Sequence, residues 1–347
     1  MIPCKFNFHN MRSLFYLVFM MSFFISGCNS NISRTIKFEH DVSEGQKPWT
    51  SEEFEIGEKD FTFGIISDLT GGERKGIFNV AVQQMNRLEP TFVLSVGDLI
   101  NGGTEDVDQL NAEWDSFDTR ASLFDMPFFY LGGNHDLTNP KMREIWKQRI
   151  GPRYYHFVYD NVLFLMMDSE DFEEKRMLEV YVARAKALQI INGEVEGEYA
   201  DTEYYHMLER KTGAMSKEQF KYFNNVLDKY SNVRWTFVIM HKPLWNREDD
   251  KGLEKLEEIL KQRPYTVING HFHSFYHTIR NDRDYIMLGT TGGFQEEADL
   301  AAFDHITMVR MSKNKPVITH LRMDGILDET GRIPLQGDTL SFQASRN

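Results

Sequence analysis

The chain has 347 residues, of which 41% are hydrophobic and 26% are charged, values that are typical of a soluble globular protein. Its formal net charge of −13 argues against nucleic acid or an anionic lipid surface as a bulk partner. The two cysteines are Cys4 and Cys28, so the chain beyond residue 28 cannot form an internal disulfide. An anionic substrate would therefore have to be attracted locally, by metal ions or by a basic pocket.

Residues 1–27 differ in composition from the rest of the chain. They contain Lys5 and Arg12 but no acidic residue, and an apolar run extends from Leu14 to Ile25. A basic start, a short apolar run and small residues before a cleavage point are typical of a secretory signal peptide. The sequence Ile25-Ser26-Gly27-Cys28 resembles the lipobox of bacterial lipoproteins, which implies lipidation of Cys28 and attachment to a membrane of the cell envelope. An uncleaved membrane anchor and an ordinary signal peptide are the alternatives.

Residues 28–59 are polar and are predicted to form a tether followed by an edge segment. Residues 60–330 are predicted to form one domain, and residues 331–347 a C-terminal tail. Within the domain, short apolar runs predict strands, and apolar residues at helical spacing predict helices. The predicted strands are Phe61–Ser67, Phe92–Val96, Phe128–Leu131, Tyr154–Tyr159, Val162–Asp168, Trp235–Met240, Tyr265–Ile268, Phe275–Arg280, Tyr285–Leu288, Phe303–Met311 and Val317–Met323. The predicted helices are Ile77–Leu88, a segment that begins near Pro140, Ser216–Tyr230 and Leu253–Arg263.

Residues 170–215 interrupt the alternation of strands and helices. They are rich in Glu, Lys and Tyr and contain no predicted strand, so we expect an inserted, mainly helical cap or, alternatively, a pair of surface helices. The rest of the pattern predicts an α/β (α+β) fold, in which two packed sheets form a β-sandwich that is flanked by helices.

Five polar loops follow predicted strands, and each contains Asp, Asn or His close to a glycine or proline. Ligands commonly bind at the carboxyl ends of strands in α/β sheets. Carboxylate, amide and imidazole groups together suit divalent ions such as Mn, Fe or Zn. Any one loop could be a simple turn or helix cap, but five in succession favour a metal site. The loops are Gly64–Asp68, Gly97–Asn101, Gly133–Asp136, His241–Pro243 and Gly270–His273.

Through these five loops the chain resembles the calcineurin-like metallophosphoesterase superfamily, over roughly residues 61–323. The resemblance implies a four-layer architecture with two divalent metal ions (Mn, Fe, Zn or Mg). It also implies hydrolysis of phosphoester bonds by a hydroxide that bridges the ions. By motif, the ligands would be Asp68 and His273 for the first ion, Asn134, His241 and His271 for the second, and Asp98 for both.

The resemblance assigns a catalytic role to His135, which would contact the phosphate and protonate the leaving oxygen. Asp136 stands where Glu is common in the superfamily, and it would either orient His135 or cap the next turn. The first motif of the superfamily is usually Asp-x-His, whereas this chain has Asp68-Leu69-Thr70. The first ion would lose an imidazole, and Thr70 would at most offer a hydroxyl or hold a water. We therefore expect a weaker first site or one that prefers a harder ion, with a single bound ion as the alternative.

Protein Ser/Thr phosphatases of the superfamily have an Asp that orients the catalytic His, followed by an Arg that binds phosphate. Here those positions are Asn101 and Gly102, which argues against that type of phosphatase. Asn101 remains a further candidate for the site, and the missing Arg favours diesters or nucleotides as substrates.

The predicted function is thus hydrolysis of a small phosphodiester, nucleotide or phosphomonoester on the envelope side of the membrane. The alternative is a non-catalytic metal-binding or scaffold lipoprotein. The reason to consider it is that Thr70 stands where the superfamily usually has a histidine ligand. Lys242, Asn246 and Arg247 would contact the substrate or belong to a solvated loop. His277 and His305 are expected to be ordinary sheet residues, and the turn at residues 290–293 is a weaker candidate for the site. The sequence does not indicate an oligomeric state.

Overall fold

The computed structural model describes residues 37–55, 60–247, 252–296, 298–313 and 315–326. The predicted signal peptide, Cys28, most of the tether and the C-terminal tail lie outside these ranges. Within them, no helix combines the length and the apolar character that a membrane span requires.

The described strands form two sheets, one with seven strands and one with five. Along the chain they are β1 (Phe38–His40), β2 (Phe61–Ile66), β3 (Phe92–Ser95), β4 (Phe128–Phe129), β5 (Tyr155–Tyr159), β6 (Val162–Met166), β7 (Trp235–Ile239), β8 (Tyr265–Asn269), β9 (Tyr276–Arg280), β10 (Arg283–Met287), β11 (His305–Met311) and β12 (Pro316–Arg322). The larger sheet has the order β1-β5-β6-β7-β8-β10-β9, and the smaller one has the order β12-β11-β2-β3-β4. Parallel pairing joins β2, β3 and β4 in the smaller sheet and β6, β7, β8 and β10 in the larger sheet.

Eight α-helices are described, and they are named here in chain order. They are α1 (Ile77–Leu88), α2 (Val107–Ala121), α3 (Asn134–Leu137), α4 (Pro140–Arg149), α5 (Glu174–Ile191), α6 (Glu203–His206), α7 (Lys217–Lys229) and α8 (Gly252–Leu260). Local capping explains several of their starts. The side chain of Asn139 accepts a hydrogen bond from Met142 N, with Pro140 in the first turn of α4. The Ser216 side chain accepts one from Gln219 N at the start of α7.

The two sheets pack face to face through a core that is rich in phenylalanine. The rings of Phe157 and Phe164 in the larger sheet lie 4.5 Å apart, and Phe63 of the smaller sheet meets Phe164 at 5.1 Å. Helices α1, α2 and α4 bury apolar side chains on the outer face of the smaller sheet, and α7 and α8 do so on the larger one. The predicted β-sandwich flanked by helices in four layers is therefore confirmed.

Residues 170–215, called the insertion below, lie between β6 and α7. They contain α5, α6 and two short 3-10 helices, Tyr199–Asp201 and Leu208–Arg210. The insertion has a small apolar cluster of its own, formed by Val180, Ala183, Ala187, Tyr204 and Met207. This cluster fixes α5 against the segment that follows it, and so gives the side chains of α5 defined positions.

Candidate metal centre

The loops after five parallel strands converge at one edge of the sandwich, where β2, β3, β4, β7 and β8 end. Potential ligand atoms of Asp68, Asp98 and His273 lie within 4.8 Å of one another, and so do those of Asp98, His241 and His271. Asp98 belongs to both groups. The predicted ligand Asn134 adjoins the second group, with its Oδ1 atom 3.2 Å from His241 Nε2. The structure thus brings all six predicted ligands together, with Asp98 between the two groups.

Three of these ligands have a left-handed backbone, which is uncommon for residues other than glycine. Their φ angles are 58° for Asp98, 82° for His271 and 58° for His273. Such conformations cost of order 1–3 kcal/mol each and persist where the surrounding structure imposes them, often at functional sites. This strain is a sign of function that does not depend on the identity of the side chains.

The carboxylate of Asp136 holds the loop of Asp98 in this conformation. It is fully buried and accepts hydrogen bonds from the backbone N–H groups of Gly133, Asp98, Leu99 and Ile100 at 2.8–3.1 Å. The imidazole of His135 instead donates from Nδ1 to the carbonyl oxygen of Asn101 at 2.7 Å. The sequence left two roles open for Asp136, to orient His135 or to cap a turn. Its carboxylate caps backbone N–H groups, and the main-chain carbonyl of Asn101 orients His135 instead.

Each candidate imidazole ligand is fixed through the ring nitrogen that points away from the site. The pairs are His241 Nδ1 with Val96 O at 2.9 Å, His271 Nε2 with Arg210 O at 2.8 Å and His273 Nδ1 with Phe294 O at 2.6 Å. Because a carbonyl oxygen can only accept, each of these nitrogens carries the proton. The opposite nitrogen of each ring is left to bind an ion, which is the usual arrangement around metal-binding histidines.

The second ligand group has a geometry that calls for a cation. His271 Nδ1 and His241 Nε2 face each other at 3.3 Å, and two unprotonated ring nitrogens at that distance would repel. Burial opposes a charge on His241, yet the neighbouring Asp98 carboxylate outweighs it and raises the pKa of His241 to about 9. In the absence of a metal ion, a second proton on His241 relieves this repulsion. The same carboxylate and imidazole donors suit a divalent cation.

The first ligand group is poorer in imidazole, as the sequence predicts. Thr70 is 2% exposed, and its hydroxyl donates to the side-chain oxygen of Asn101 at 3.3 Å. His273 is thus the one imidazole among the described side chains of this group, against two in the second group. The turn at residues 290–293 fixes the backbone of Asp68. The N–H groups of Thr291 and Gly293 donate to the Asp68 carbonyl oxygen at 3.2 and 3.0 Å.

A residue that the sequence analysis missed, Arg184 on α5, lies beside His135. Its Nη2 atom is 3.0 Å from His135 Nε2, which must act as acceptor because Nδ1 donates to Asn101. Burial lowers the pKa of His135 to about 4, and the Arg184 guanidinium acts in the same direction while Asp98 opposes it. Since 49 residues separate the two side chains, no local pattern could have paired them.

A cavity of about 310 Å³ opens onto the candidate ligands and is lined on one side by the insertion. Arg184, Tyr199, Tyr204 and Arg210 come from the insertion, and Phe272, Phe294, Glu296 and Asp299 line the cavity from the C-terminal part of the chain. The insertion therefore covers the site, and it brings aromatic and basic groups to it.

Both predictions for Lys242 are wrong. It neither lines the cavity nor belongs to a solvated loop, because it is 1% exposed and donates to Glu170 at 3.0 Å and to Glu209 O at 2.8 Å. Arg247 likewise bonds to the Glu209 carboxylate, at 3.2 Å. These contacts attach the insertion to the loop of His241, because a buried charge requires a partner.

The two further histidines lie in strands, as expected. His277 is exposed on β9 and pairs with Asp284 at 2.8 Å. His305 is buried on β11 and accepts a hydrogen bond from Gly289 N at 2.8 Å.

Comparison with known proteins identifies one family and several similar folds. The model of the calcineurin-like phosphoesterase family matches residues 61–275, which is more than half of the chain. No curated protein sequence matches at a significant level.

Among solved structures, a dimetal phosphatase from Danio rerio has 17% identity and a TM-score of 0.53, and the match covers 76% of this chain and 96% of that one. A purple acid phosphatase from yellow lupin (Lupinus luteus) has 10% identity and a TM-score of 0.46, with 77% and 52% covered. A 5'-nucleotidase from Candida albicans has 12% identity and a TM-score of 0.43, with 78% and 54% covered. At 17% identity the Danio rerio structure supports the fold alone, and the other two structures are too distant to support any conclusion.

Proposed function

The chain belongs to the calcineurin-like phosphoesterase family, and from this premise we propose that it hydrolyses a small phosphorylated substrate at a centre of two divalent ions. The observation that carries the proposal is the position of Asp98, whose carboxylate belongs to both groups of candidate ligands. A shared carboxylate is what a pair of adjacent metal ions requires. Mn, Fe, Zn and Mg are the candidate ions, because Asp, Asn and His suit all of them.

When bound, two divalent ions supply a hydroxide nucleophile at neutral pH and stabilise charge on the attacking and leaving oxygens. Asp68 and Asp98 carry two negative charges against the four positive charges of such a pair. The ligand set therefore leaves a local positive surplus, which attracts a phosphate into a chain whose net charge is −13.

His135 is proposed to contact the phosphoryl group and to give its Nε2 proton to the leaving oxygen. The Asn101 carbonyl fixes the ring so that Nε2, and not Nδ1, is the atom available for this step. With a pKa of about 4 the ring is mostly neutral at neutral pH. A nearby anion favours the protonated form of an imidazole, so a bound phosphate would itself raise the fraction of His135 that can act as an acid.

The size of the cavity favours a small substrate. Its volume of about 310 Å³ is at the lower end of the range for small-molecule sites, and the insertion closes one side. The sequence-based preference for diesters depended on the missing Arg at Gly102. Arg184 now supplies a guanidinium beside His135 from elsewhere in the chain, so that reason for preferring diesters no longer applies.

The test is hydrolysis of a chromogenic phosphomonoester and a chromogenic phosphodiester by metal-free protein to which Mn²⁺, Zn²⁺ or Mg²⁺ is returned. We expect metal-dependent activity that Asp98→Asn lowers by about a thousandfold or more, since catalysis at such centres depends on the ions. The matched control is Asp108→Asn, which removes an exposed carboxylate from α2 and should retain full activity. If the wild-type protein binds the ions but hydrolyses neither ester with any of them, the non-catalytic alternative is correct.

We also propose that Cys28 is lipidated and holds the protein at the cell envelope, on the basis of the lipobox-like sequence before it. Stable attachment needs more than one acyl chain, which lipidation at an N-terminal cysteine can provide. In a bacterial host, Cys28→Ser should move the protein from the membrane fraction to the soluble fraction and abolish incorporation of labelled fatty acid. Unchanged fractionation of the variant would contradict the proposal.

A further inference from the structure

Arg184 is a buried cation without an anionic partner. It is 6% exposed, and within the part of the chain that the structure describes its guanidinium forms no ion pair with a carboxylate. Its hydrogen-bond partner is the imidazole of His135, with Nη2 3.0 Å from Nε2. Buried charges in proteins are normally paired, because removing an ion from water costs several kcal/mol. The position of Arg184 is therefore suited to an anion beside it.

The cavity next to Arg184 is the one onto which the candidate metal ligands open. Asp98, Asn134, His271 and His273 line it together with Arg184. An anion that binds in this cavity would lie between the guanidinium and the metal centre. Arg184 thus faces the place where a phosphoryl group must lie if the proposed function is correct.

The fold holds the guanidinium in this position. A Cβ atom at Gly103 would lie 2.8 Å from Arg184 Nη1, so the guanidinium packs closely against the backbone of the loop that follows β3. The other cavity-lining arginine, Arg210, is less buried, stacks on Tyr205 at 4.6 Å and donates through Nε to the carbonyl of Tyr205 at 3.0 Å. Of the two, Arg184 is the more buried and is the one that contacts His135.

We propose that the insertion supplies Arg184 as the phosphate-binding residue of this site and that Arg184 selects monoesters over diesters. This inference rests on the proposed function. A phosphomonoester has three non-bridging oxygens and up to two negative charges, whereas a diester has two such oxygens and one charge. A guanidinium offers paired N–H donors that match two oxygens of one phosphate. Arg184 would bind the additional charge and oxygen that distinguish a monoester.

The first experiment measures phosphate binding without relying on turnover. Thermal melting of the Mn²⁺-reconstituted protein is followed as inorganic phosphate is added, for wild type, Arg184→Met and the control Lys186→Met. Phosphate should raise the melting temperature of the wild type and of the control, since a ligand stabilises the state that it binds. Arg184→Met should be as stable as the wild type without phosphate, because an unpaired buried cation has been replaced by an apolar side chain, and it should gain little from phosphate.

The second experiment measures specificity. Arg184→Met and Arg184→Gln should raise KM for a phosphomonoester and the inhibition constant of inorganic phosphate by about 10- to 100-fold, the worth of a charge-assisted hydrogen bond. Diester hydrolysis should fall by a clearly smaller factor, because a diester lacks the additional charge and oxygen that Arg184 would bind. Lys186, which is exposed on the same helix, provides the matched control, and metal content should be the same in all variants.

The outcomes separate the inference from the function that it refines. If the wild type hydrolyses esters but the Arg184 variants bind phosphate normally, the inference is overturned and the proposed function stands. Equal losses on both esters would overturn the selection of monoesters. If no ester is hydrolysed while phosphate stabilisation still depends on Arg184, the proposed function fails and the phosphate site stands.

Discussion

The carboxylate of Asp136 accepts a 2.8 Å hydrogen bond from the backbone N–H of Asp98, the residue whose own carboxylate is shared by both ligand groups. One buried acid, which belongs to neither ligand group, therefore positions the other. The left-handed backbone of Asp98 places its N–H toward Asp136 and its side chain toward the site. The position of the shared ligand depends on this contact.

Asp136→Asn tests this dependence. Both carboxylate oxygens accept backbone N–H groups, and the amide would place an NH₂ group against donors on one side. We expect the free energy of unfolding of the metal-free protein to fall by about 2–4 kcal/mol, because buried donors lose their acceptor. Urea denaturation measures this, with Asp108→Asn on the surface of α2 as the control. Unchanged stability with a reduced kcat would instead assign Asp136 to the orientation of His135.

Thr70→His tests whether the missing imidazole weakens binding of the first ion. The added ring would supply the nitrogen ligand that the Asp-x-His motif normally provides, and so tighten the first ion. We expect metal analysis after exhaustive dialysis to find one retained transition ion per chain in the wild type and two in the variant. The larger side chain should lower the free energy of unfolding of the metal-free protein by about 1–3 kcal/mol, since Thr70 is 2% exposed and has little room around it. Thr70→Ser is the control, and two firmly retained ions in the wild type would refute the expectation.

Gly102→Ala should disrupt the loop that orients His135. The glycine has a φ of +54°, and a Cβ atom there would lie 1.7 Å from the carbonyl oxygen of His135. Backbone must move to relieve this overlap, so we expect a loss of at least about 3 kcal/mol in the free energy of unfolding. Gly193 has a φ of +73° but no neighbour within 4 Å. The free energy of unfolding of Gly193→Ala should thus fall by only about 1–2 kcal/mol, the cost of a left-handed backbone at alanine. Equal losses in the two variants would contradict the role of the overlap.

Two buried histidines, His305 and His320, should lower the stability as the pH falls from about 6.5 to about 4. Burial lowers the pKa of His305 to about 3, with His320 acting in the same direction, and burial lowers the pKa of His320 to about 4. Unfolded histidine takes up its proton near pH 6.5, so the unfolded state binds more protons in this window and is favoured there. Each group contributes a slope of up to about 1.4 kcal/mol per pH unit.

Urea denaturation across this pH range measures the slope in the wild type and in His320→Gln, whose slope should be smaller by one proton. His206→Gln, which removes an exposed imidazole from α6, is the control and should keep the slope of the wild type. If His320→Gln and the wild type have the same slope, His320 does not titrate in this way.

The sequence alone predicted the sheet framework and the set of candidate ligands. Apolar runs between turn residues are strong local signals, so the predicted strand Phe61–Ser67 agrees with β2 to within one residue. The ligands were found because each follows such a strand. Helix α2 was not predicted, although a signal was present: Asp106 caps it, and Leu110, Trp114 and Phe117 recur at helical spacing and are buried.

Other features of the site depend on contacts between distant parts of the chain. The insertion was recognised as mainly helical, but no spacing in it indicated that Arg184 would reach His135. Lys242 was misread for the same reason, because its partners Glu170 and Glu209 are more than 30 residues away. A charged side chain in a loop is predicted to be solvated unless its partner is known, and here the partner comes with the tertiary fold.

The bond between the imidazole of His271 and the carbonyl of Arg210 has a consequence for how the insertion can change. A backbone carbonyl is present whatever side chain residue 210 carries, so substitutions in the insertion can accumulate without releasing this ligand. Insertions or deletions near residue 210 would displace the carbonyl and free the ring. An attempt to exchange this segment for that of another enzyme, in order to alter substrate choice, must therefore preserve the path of its main chain before any of its side chains.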